Sequence, residues 1–232
     1  MKILAGTSGW SFKEWKGSFY PRDLPDAEML AYYGTRFPTV EVNNTFYRMP
    51  REKVLVEWAE RVPGEFRFAI KASQRITHHK RLADSKDDLE YFLKVCSALG
   101  ERRGPSLFQL PPTMKRDLPR LEAFLALLPR RWRATFEFRH ATWFDDQVYE
   151  ALRRHDCALC VAEQDDFRTP MVATATWGYA RLHRTGYEQR ELEEWAGILR
   201  AQPWEEAFVY FKHEGEQSGP EAVNRFLRAA AS

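Results

Sequence analysis

Ionisable side chains recur at the ends of short apolar runs in this sequence. Glu41 and Asn43 alternate with valines in TVEVNN, and Glu137 and Arg139 flank a phenylalanine in ATFEFRH. Carboxylates and histidines transfer protons near neutral pH, and the arginine fork matches the oxygens of phosphate or carboxylate groups. These residue types together favour an anion-binding site with acid/base chemistry. The full polar set at such positions is Glu41, Asn43, Lys71, Gln109, Glu137, Arg139, Arg181 and His183.

Alternation along each strand predicts which way these side chains point. Successive side chains of a strand face opposite sides, and in a barrel of parallel strands the outward side meets apolar helices. Val40 and Val42 therefore face outward, and Glu41 faces inward. The same argument turns the rest of the polar set inward, near the C-terminal ends of the strands. The eighth strand leaves Lys212 and His213 as alternatives.

Eight strand-like segments alternate with seven helical patterns along the chain. Such alternation predicts right-handed βαβ units, and eight parallel strands can close into a barrel. We expect an α/β fold with one domain over residues 1–232, a single TIM-like (β/α)8 barrel of parallel strands with outer helices; an open doubly wound sheet is the alternative. Between Asp165 and Trp177 we expect a short or irregular helix. The predicted strands span residues 2–8, 39–44, 66–73, 106–111, 134–140, 157–163, 179–184 and 207–213, and the predicted helices span 27–37, 52–62, 85–99, 118–128, 146–155, 191–201 and 220–230.

Composition and charge narrow the class of function. Hydrophobic residues make up 44% and charged residues 29% of the 232 residues, which is usual for a globular protein. No stretch approaches the roughly 18 apolar residues that span a bilayer, and the first ten residues lack the apolar core of a secretion signal, so we expect a cytoplasmic protein without a membrane partner. The net charge of +2 argues against a polybasic nucleic-acid binder.

The three cysteines predict no disulfide framework. Cys157 and Cys160 have a C-x-x-C spacing. They lie in the apolar run CALCVA, where a strand points them to opposite sides, and no second pair completes a zinc site. Because cysteine is among the most buried residue types, we expect buried structural thiols.

Two loops add basic and aromatic side chains near the expected mouth of the barrel, which is the end where the strands terminate. The segment QRITHHKRL after the third strand carries His78 among five basic residues and predicts a basic rim. The segment GWSFKEWKGSFYP after the first strand contains Trp10 and other aromatic residues, which either line the site or pack against neighbouring loops. Tyr47 and Trp143 follow the second and fifth strands.

Cations outnumber carboxylates at the expected mouth, where the acidic candidates are Glu41, Glu137 and Glu163. This excess favours an anionic ligand, with phosphate preferred because arginine forks match its oxygens. The alternative is a structural ion-pair network in which Arg139 and Arg181 neutralise the glutamates. The chain has no G-x-x-x-x-G-K-[ST] loop and no G-x-G-x-x-G turn, which excludes an ordinary nucleoside triphosphate or dinucleotide site.

Six segments carry a resemblance to a known family: GTSGWSFKEWKGSFYP, TVEVNNTFYRMP, FAIKASQRITHHKRL, LFQLPP, FEFRHATWF and YARLHR. In this order they resemble the YecE-like family, also called domain of unknown function 72. The resemblance implies a TIM-barrel-like fold and no particular activity. The chain departs from the family at Arg184, where glycine is frequent, and at Lys212 and His213, where paired asparagines are frequent. The family pattern covers Glu41, Asn43, Tyr47, Lys71, Thr77, His78, Gln109, Glu137, Arg139, Trp143, Arg181 and His183.

Three principal hypotheses of function fit these residues. The first is an enzyme, a hydrolase or a lyase or isomerase, that acts on a phosphorylated or other anionic small substrate with Glu41, Glu137 and His183 as acid/base residues. The second is a metal-assisted nucleic-acid phosphodiesterase or nucleic-acid-binding protein with a divalent metal, and the third is a non-catalytic metabolite-binding protein. A glycosidase pair of Glu41 and Glu137 is a further alternative. Under the first hypothesis the substrate-binding residues are Asn43, Tyr47, Lys71, His78, Gln109, Arg139, Trp143 and Arg181.

Overall fold

Strands and helices alternate along the computed structural model, which describes residues 1–212 and 219–231; His213 lies outside the described residues. The described helices include none that is long and apolar enough to cross a membrane. The strands are β1 Lys2–Thr7, β2 Thr39–Val42, β3 Arg67–Lys71, β4 Arg103–Gln109, β5 Ala134–Glu137, β6 Ala158–Gln164, β7 Phe167–Arg168, β8 Trp177–Leu182 and β9 Glu206–Phe211. The α-helices are α1 Met29–Arg36, α2 Glu52–Glu60, α3 Lys86–Ser97, α4 Leu118–Leu125, α5 Asp146–Arg154, α6 Gln189–Arg200 and α7 Gly219–Ala231.

The long strands form a nearly closed parallel barrel surrounded by the helices. Hydrogen-bonded neighbours follow the order β1-β9-β8-β6-β5-β4-β3-β2, and each pair along this path is parallel. Parallel strands need crossover connections, which the helices supply. The predicted fold class is therefore confirmed, and each predicted strand and helix overlaps an observed one.

A tyrosine hydroxyl bridges the gap between β1 and β2, where the described residues form no backbone ladder. The Tyr33 hydroxyl, carried by α1, accepts a hydrogen bond from the backbone N–H of Thr7 at 2.8 Å and donates one to the carbonyl of Thr39 at 3.1 Å. The two strands approach closely at Gly6, where an added Cβ would lie 1.9 Å from the Thr39 carbonyl oxygen. Only glycine fits this approach. The hydrogen bonds of the Tyr33 hydroxyl therefore join β1 and β2 in place of a backbone ladder.

The barrel interior divides into an apolar lower part and a polar mouth. Buried apolar residues fill the lower part, and a separate, larger apolar core lies between the strands and the helices. Cys160 belongs to the interior and Cys157 to the outer core, and both are free thiols, as the strand alternation predicts. The interior apolar set is Leu4, Ala69, Leu107, Ala158, Cys160, Ala162, Trp177, Tyr179, Phe208 and Tyr210.

The segment after β6 forms a hairpin, so the prediction of a helix between Asp165 and Trp177 is wrong. Residues 167–168 form β7, which pairs antiparallel with the end of β6; Glu163 faces Arg168 and Gln164 faces Phe167. Two aspartates make the turn, and short polar side chains of this kind favour tight turns. The turn is fastened by Asp165, whose carboxylate accepts hydrogen bonds from the backbone and hydroxyl of Thr185.

Candidate functional site

A buried arginine joins two buried glutamates at the mouth of the barrel. Arg181 on β8 donates from Nη1 to Glu137 Oε2 at 2.6 Å and from Nη2 to Glu41 Oε1 at 3.0 Å. Its Nε lies 3.0 Å from Glu41 Oε2 without hydrogen-bond geometry. Both carboxylates are 0% exposed and Arg181 is 5% exposed. The predicted inward orientation of all three is confirmed, and the contacts connect β2, β5 and β8 across the interior.

Glu41 has hydrogen-bond donors on both carboxylate oxygens. The Tyr179 hydroxyl donates to Oε2 at 2.7 Å, and the Ser8 hydroxyl donates to Oε1 at 2.8 Å. The Asn43 amide also donates to Oε1, at 3.0 Å. With the bond from Arg181, these donors satisfy the desolvated carboxylate, which a buried charge requires.

Glu137 is satisfied in a similar way on the other side of Arg181. Its Oε1 accepts from the Gln109 amide and from Arg139 Nε, both at 2.9 Å. Two carboxylates therefore face two guanidinium groups, and the charges balance. We refer to Glu41, Glu137, Arg139 and Arg181 as the buried ion-pair network, in which Arg139 is half-buried. Its presence supports the structural ion-pair alternative given by the sequence.

The network keeps both glutamates ionised. Burial alone raises the pKa of a carboxyl group, but here the Arg181 guanidinium and the hydrogen bonds outweigh burial. The pKa of Glu41 falls to about 2. The same causes, with Arg139 added, hold the pKa of Glu137 well below its ordinary value. Carboxylates of such low basicity are poorly suited to proton abstraction near neutral pH, and their environment suits a positioning role.

His183 follows β8 and is held by a serine at the end of β1. The Ser8 hydroxyl lies 3.0 Å from His183 Nε2 and already donates its single proton to Glu41. His183 Nε2 must therefore carry the proton of this second hydrogen bond. Burial and the nearby Arg181 lower the pKa of His183 to about 3, so the imidazole is neutral at physiological pH.

The mouth contains a pocket of about 410 Å³, called here the mouth pocket. The loops after β1 and β2 supply its aromatic wall, including Trp10 and Phe46, and the strand ends supply its polar groups. None of the described lining residues is an aspartate or glutamate. The pocket is consequently cationic. Its ionisable lining residues are Tyr47, Lys71, Arg181, His183 and Lys212.

Lys71 ends β3 and points its amine into the mouth pocket. Its Nζ lies 4.4 Å from the centre of the Phe46 ring and forms no ion pair with any described residue within 4.0 Å. Burial lowers the pKa of Lys71, and the positive charge of Arg181 lowers it further, to about 8. The charge of Lys71 therefore changes closer to neutral pH than that of an ordinary lysine.

The remaining predicted site residues occupy different surroundings. His78 lies in the π-helical turn Arg75–His79, where Nδ1 is 2.9 Å from Thr77 Oγ1 and the ring packs edge-on against Phe46. Tyr47 lines the mouth pocket with 75% of its surface exposed.

Trp143 is placed in the core and not at the mouth pocket. It is 0% exposed, donates its indole N–H to the Met114 carbonyl at 2.7 Å and stacks on Phe138 with ring centres 4.6 Å apart. The predicted substrate contact of Trp143 is therefore corrected to a packing role. The chain has already left β5 at this position, so strand alternation no longer sets the direction of the side chain.

Comparison with known sequences identifies the family. Residues 4–232 match the family described as "Protein of unknown function DUF72". The chain belongs to the DUF72 family.

Two curated relatives of the DUF72 barrel carry names without an activity. The chain is 33% identical over 143 residues to "UPF0759 protein YecE" of Escherichia coli (strain K12), a match that covers 61% of this chain and 50% of that protein. It is 28% identical over 157 residues to "UPF0759 protein YunF" of Bacillus subtilis (strain 168), covering 64% and 54%. The chain spans about half the length of the curated relatives it matches.

Solved structures share the fold. The crystal structure of a DUF72 family protein from Thermotoga maritima is similar with a TM-score of 0.87 and 26% identity over the whole of both chains. A DUF72 family protein from Enterococcus faecalis gives a TM-score of 0.82 at 16% identity, covering 99% of this chain and 96% of that one. The barrel architecture described above is therefore that of the DUF72 family.

The two departures from the DUF72 pattern have different consequences for the site. Arg184 turns away from the mouth pocket to form an ion pair with Glu191 at 2.5 Å and to cover the Tyr187 ring. Arg184 therefore adds no charge to the lining of the mouth pocket. Lys212 does line the mouth pocket, and His213 lies outside the described residues.

Glu163 does not face the barrel interior. Its carboxylate accepts a hydrogen bond from the Trp195 indole at 3.0 Å, on the helix side of β6, and Arg168 lies 3.9 Å away.

Residues 1–212 and 219–231 contain no group of three or more histidine, cysteine, aspartate or glutamate side chains that could hold a metal ion. Because Glu41 and Glu137 already bind Arg181, the predicted carboxylate set does not fit a divalent cation.

Sequence analysis missed Ser8 and Tyr179 as site residues. Ser8 lies on the same side of β1 as Leu4 and Gly6, and Tyr179 lies two residues before Arg181, so alternation places both inside the barrel. Both are uncharged, and their role is to hydrogen-bond Glu41. The sequence signal for them is a hydroxyl-bearing residue at an inward-facing position of a strand.

Proposed function

We propose that the mouth pocket binds a small anionic molecule and that the protein acts on it by proton transfer. The observation that carries this proposal is the pocket lining, in which Lys71, Arg181 and Lys212 are present and described carboxylates are absent. A pocket of about 410 Å³ has the size that small ligands fill. Low-dielectric walls strengthen the attraction of such a cationic recess for an anion.

The cationic side chains that line the pocket differ in how strongly they are held and in whether their charge changes near neutral pH. Arg181 is held in place by Glu41 and Glu137, so we assign the two glutamates to positioning and Arg181 to a fixed positive charge that faces the ligand. Lys71 has no such partner and titrates near neutral pH, so it is the candidate for anion binding and proton transfer. His183 contributes a neutral imidazole whose orientation is set by Ser8.

A nucleic-acid ligand has weaker support. The basic rim after β3 is partly neutralised, because Asp88 lies 2.7 Å from Arg75 Nε and 2.8 Å from Lys80 Nζ. Tracking a phosphate backbone requires cations that are available to many phosphates in a row. The mouth pocket, with a volume of about 410 Å³, favours a single small molecule.

Calorimetric titration with inorganic phosphate at low ionic strength tests the proposal. We expect binding to the wild-type protein and no heat with glycerol as the uncharged probe. Lys71→Met should weaken phosphate binding about tenfold or more, because a hydrogen bond to a charged group contributes about 1.5–3 kcal/mol. Lys94→Met, which removes an exposed lysine paired with Glu52, is the matched control and should bind as the wild type does. Failure of the wild type to bind phosphate, or equal weakening by both variants, would refute the proposal.

A further inference from the structure

The amine of Lys71 has the surroundings of a nucleophile. A lysine that only attracts anions works best when it is fully charged, and an exposed or carboxylate-paired position keeps it charged. Lys71 instead shares the mouth pocket with Arg181, and no described carboxylate lies within ion-pair distance of its amine. Lysines become nucleophilic when they are desolvated or placed beside another cation, and both conditions hold here.

The buried ion-pair network does not provide Lys71 with an ion-pair partner. Glu41 and Glu137 are the carboxylates nearest to the pocket floor, and their oxygens are occupied by Arg181, Arg139 and neutral donors. Their negative charge raises the pKa of Lys71, but burial and the positive charge of Arg181 lower it more. The pKa of Lys71, lowered by burial and by Arg181 to about 8, agrees with this arrangement.

We propose that Lys71 forms a Schiff base with a small substrate that carries an aldehyde or ketone together with an anionic group. The inference rests on the proposed anion binding at the mouth pocket and names the substrate class for that site. The anionic group would be held by Arg181 and Lys212, and the carbonyl carbon would lie at Lys71 Nζ. The wall formed by Phe46 accepts a cation at its face, so the positive charge of an iminium group would stay stabilised there.

The covalent step balances without any redox partner. The Nζ lone pair adds to the carbonyl carbon, one proton moves from nitrogen to oxygen, and a carbinolamine forms. A second proton on that oxygen lets it leave as water while the nitrogen lone pair closes the C=N bond. Amine and carbonyl thus yield iminium or imine and one water. Ser8 and His183 line the same pocket and share a hydrogen bond, so they can orient the carbinolamine oxygen. The second proton comes from solvent, which receives a proton back when the iminium group is deprotonated to the imine.

Reductive trapping on the full chain tests this inference. The probe is pyridoxal 5′-phosphate, an anionic aldehyde, followed by sodium borohydride, with intact-mass and peptide mass spectrometry as the readout. We expect one adduct per chain at Lys71, and a loss of at least tenfold in trapped protein for Lys71→Arg, which keeps the charge and removes the nucleophile. Lys94→Arg should be trapped as the wild type is. Circular dichroism and the melting temperature establish that each variant is folded.

Competition separates this inference from the anion-binding proposal. Excess inorganic phosphate should suppress trapping at Lys71, and benzaldehyde, which has no anionic group, should be trapped several-fold less. If phosphate binds by calorimetry and the adducts are spread over surface lysines, the Schiff base inference is wrong and the anion site stands. If Lys71 is trapped equally by benzaldehyde and is indifferent to phosphate, the amine is reactive but the anionic substrate class is wrong.

Discussion

Arg181 Nη1 lies 2.6 Å from Glu137 Oε2 at the centre of the barrel mouth, with both side chains shielded from water. The same guanidinium also binds Glu41, so a single cation balances charge on two strands. Removal of one partner from a buried pair leaves an uncompensated charge, which is far more damaging than loss of a surface pair. The ion-pair network is therefore the element of the site on which stability depends most directly.

Replacement of Arg181 should be strongly destabilising. Arg181→Met leaves two buried carboxylates without their shared cation, and we expect the free energy of unfolding in urea to fall by about 3–5 kcal/mol. Arg190→Met, which removes an exposed pair with Glu194 on α6, is the control and should change it by less than about 1 kcal/mol. Equal effects of the two variants would mean that the buried pairing contributes nothing beyond an ordinary surface pair.

Acid should unfold the protein through Glu41 and its neighbours. The pKa of Glu41 is lowered from 4.5 to about 2 in the folded state, so the unfolded chain binds protons first as the pH falls. The stability that this group contributes is present above about pH 4.5 and is lost as the pH falls toward 2. Melting temperatures between pH 6 and pH 2 should show this loss, and Glu41→Gln should be less stable at pH 6 with a flatter dependence below pH 4.5. A dependence as steep in Glu41→Gln as in the wild type would contradict the assignment.

Removal of the Lys71 charge should stabilise the protein while abolishing the reactive amine. The pKa of Lys71 is lowered from 10.5 to about 8, so at neutral pH folding buries a charge that the environment disfavours. The contribution of Lys71 to stability should rise as the pH increases from about 8 to 10.5, because its amine then holds more protons in the unfolded than in the folded chain. Burial raises the pKa of the Cys96, Cys157 and Cys160 thiols, which act in the opposite direction in wild type and variant alike. Lys71→Met should gain about 1–3 kcal/mol at pH 7, with the gain shrinking at pH 10. Chemical denaturation at both pH values is the measurement, Lys94→Met is the control, and a loss of stability at pH 7 would count against the described environment.

Tyr33→Phe should weaken the join between β1 and β2. The hydroxyl satisfies the Thr7 N–H and the Thr39 carbonyl, and leaving buried backbone groups unpaired costs about 1–3 kcal/mol. Tyr32→Phe, at the preceding position of α1, serves as the control and should change stability little. Hydrogen exchange at the Thr7 amide should accelerate in Tyr33→Phe. Unchanged exchange and unchanged stability would show that the join does not depend on the hydroxyl.

Strand alternation predicted the barrel and most of the network from the residues alone. In β2 the valines alternate with Glu41, and in β5 the phenylalanines alternate with Glu137, so one side of each strand is clearly apolar and the other polar. The contrast gives an unambiguous direction to each side chain. Arg181 could be placed by the same argument, since Leu182 follows it and faces the helices.

The same argument failed where the contrast is absent. In CALCVAE both sides of β6 are small or apolar, because Ala158, Cys160 and Ala162 fill the barrel interior and the other side meets helices. Glu163 was therefore assigned to the mouth although its carboxylate contacts Trp195. The ion-pair alternative named Arg139 and Arg181 as partners of the two glutamates, but no sequence pattern could reveal that Arg181 binds both, because this depends on distances across the barrel.

The hydroxyl bridge at Tyr33 also bears on how the mouth pocket can admit a ligand. Loops from β1 and β2 form the two sides of the aromatic wall, and these are the strands that no backbone ladder joins in the described chain. Parting them breaks hydrogen bonds made by side chains, those of the Tyr33 hydroxyl and the one from Ser8 to Glu41, whereas parting any other neighbouring pair of the eight barrel strands disrupts a run of interstrand amide bonds. The junction between β1 and β2 is therefore the one with the fewest backbone hydrogen bonds, and it lies beside the pocket entrance. Separation of these two strands would widen the entrance while the rest of the sheet stays intact.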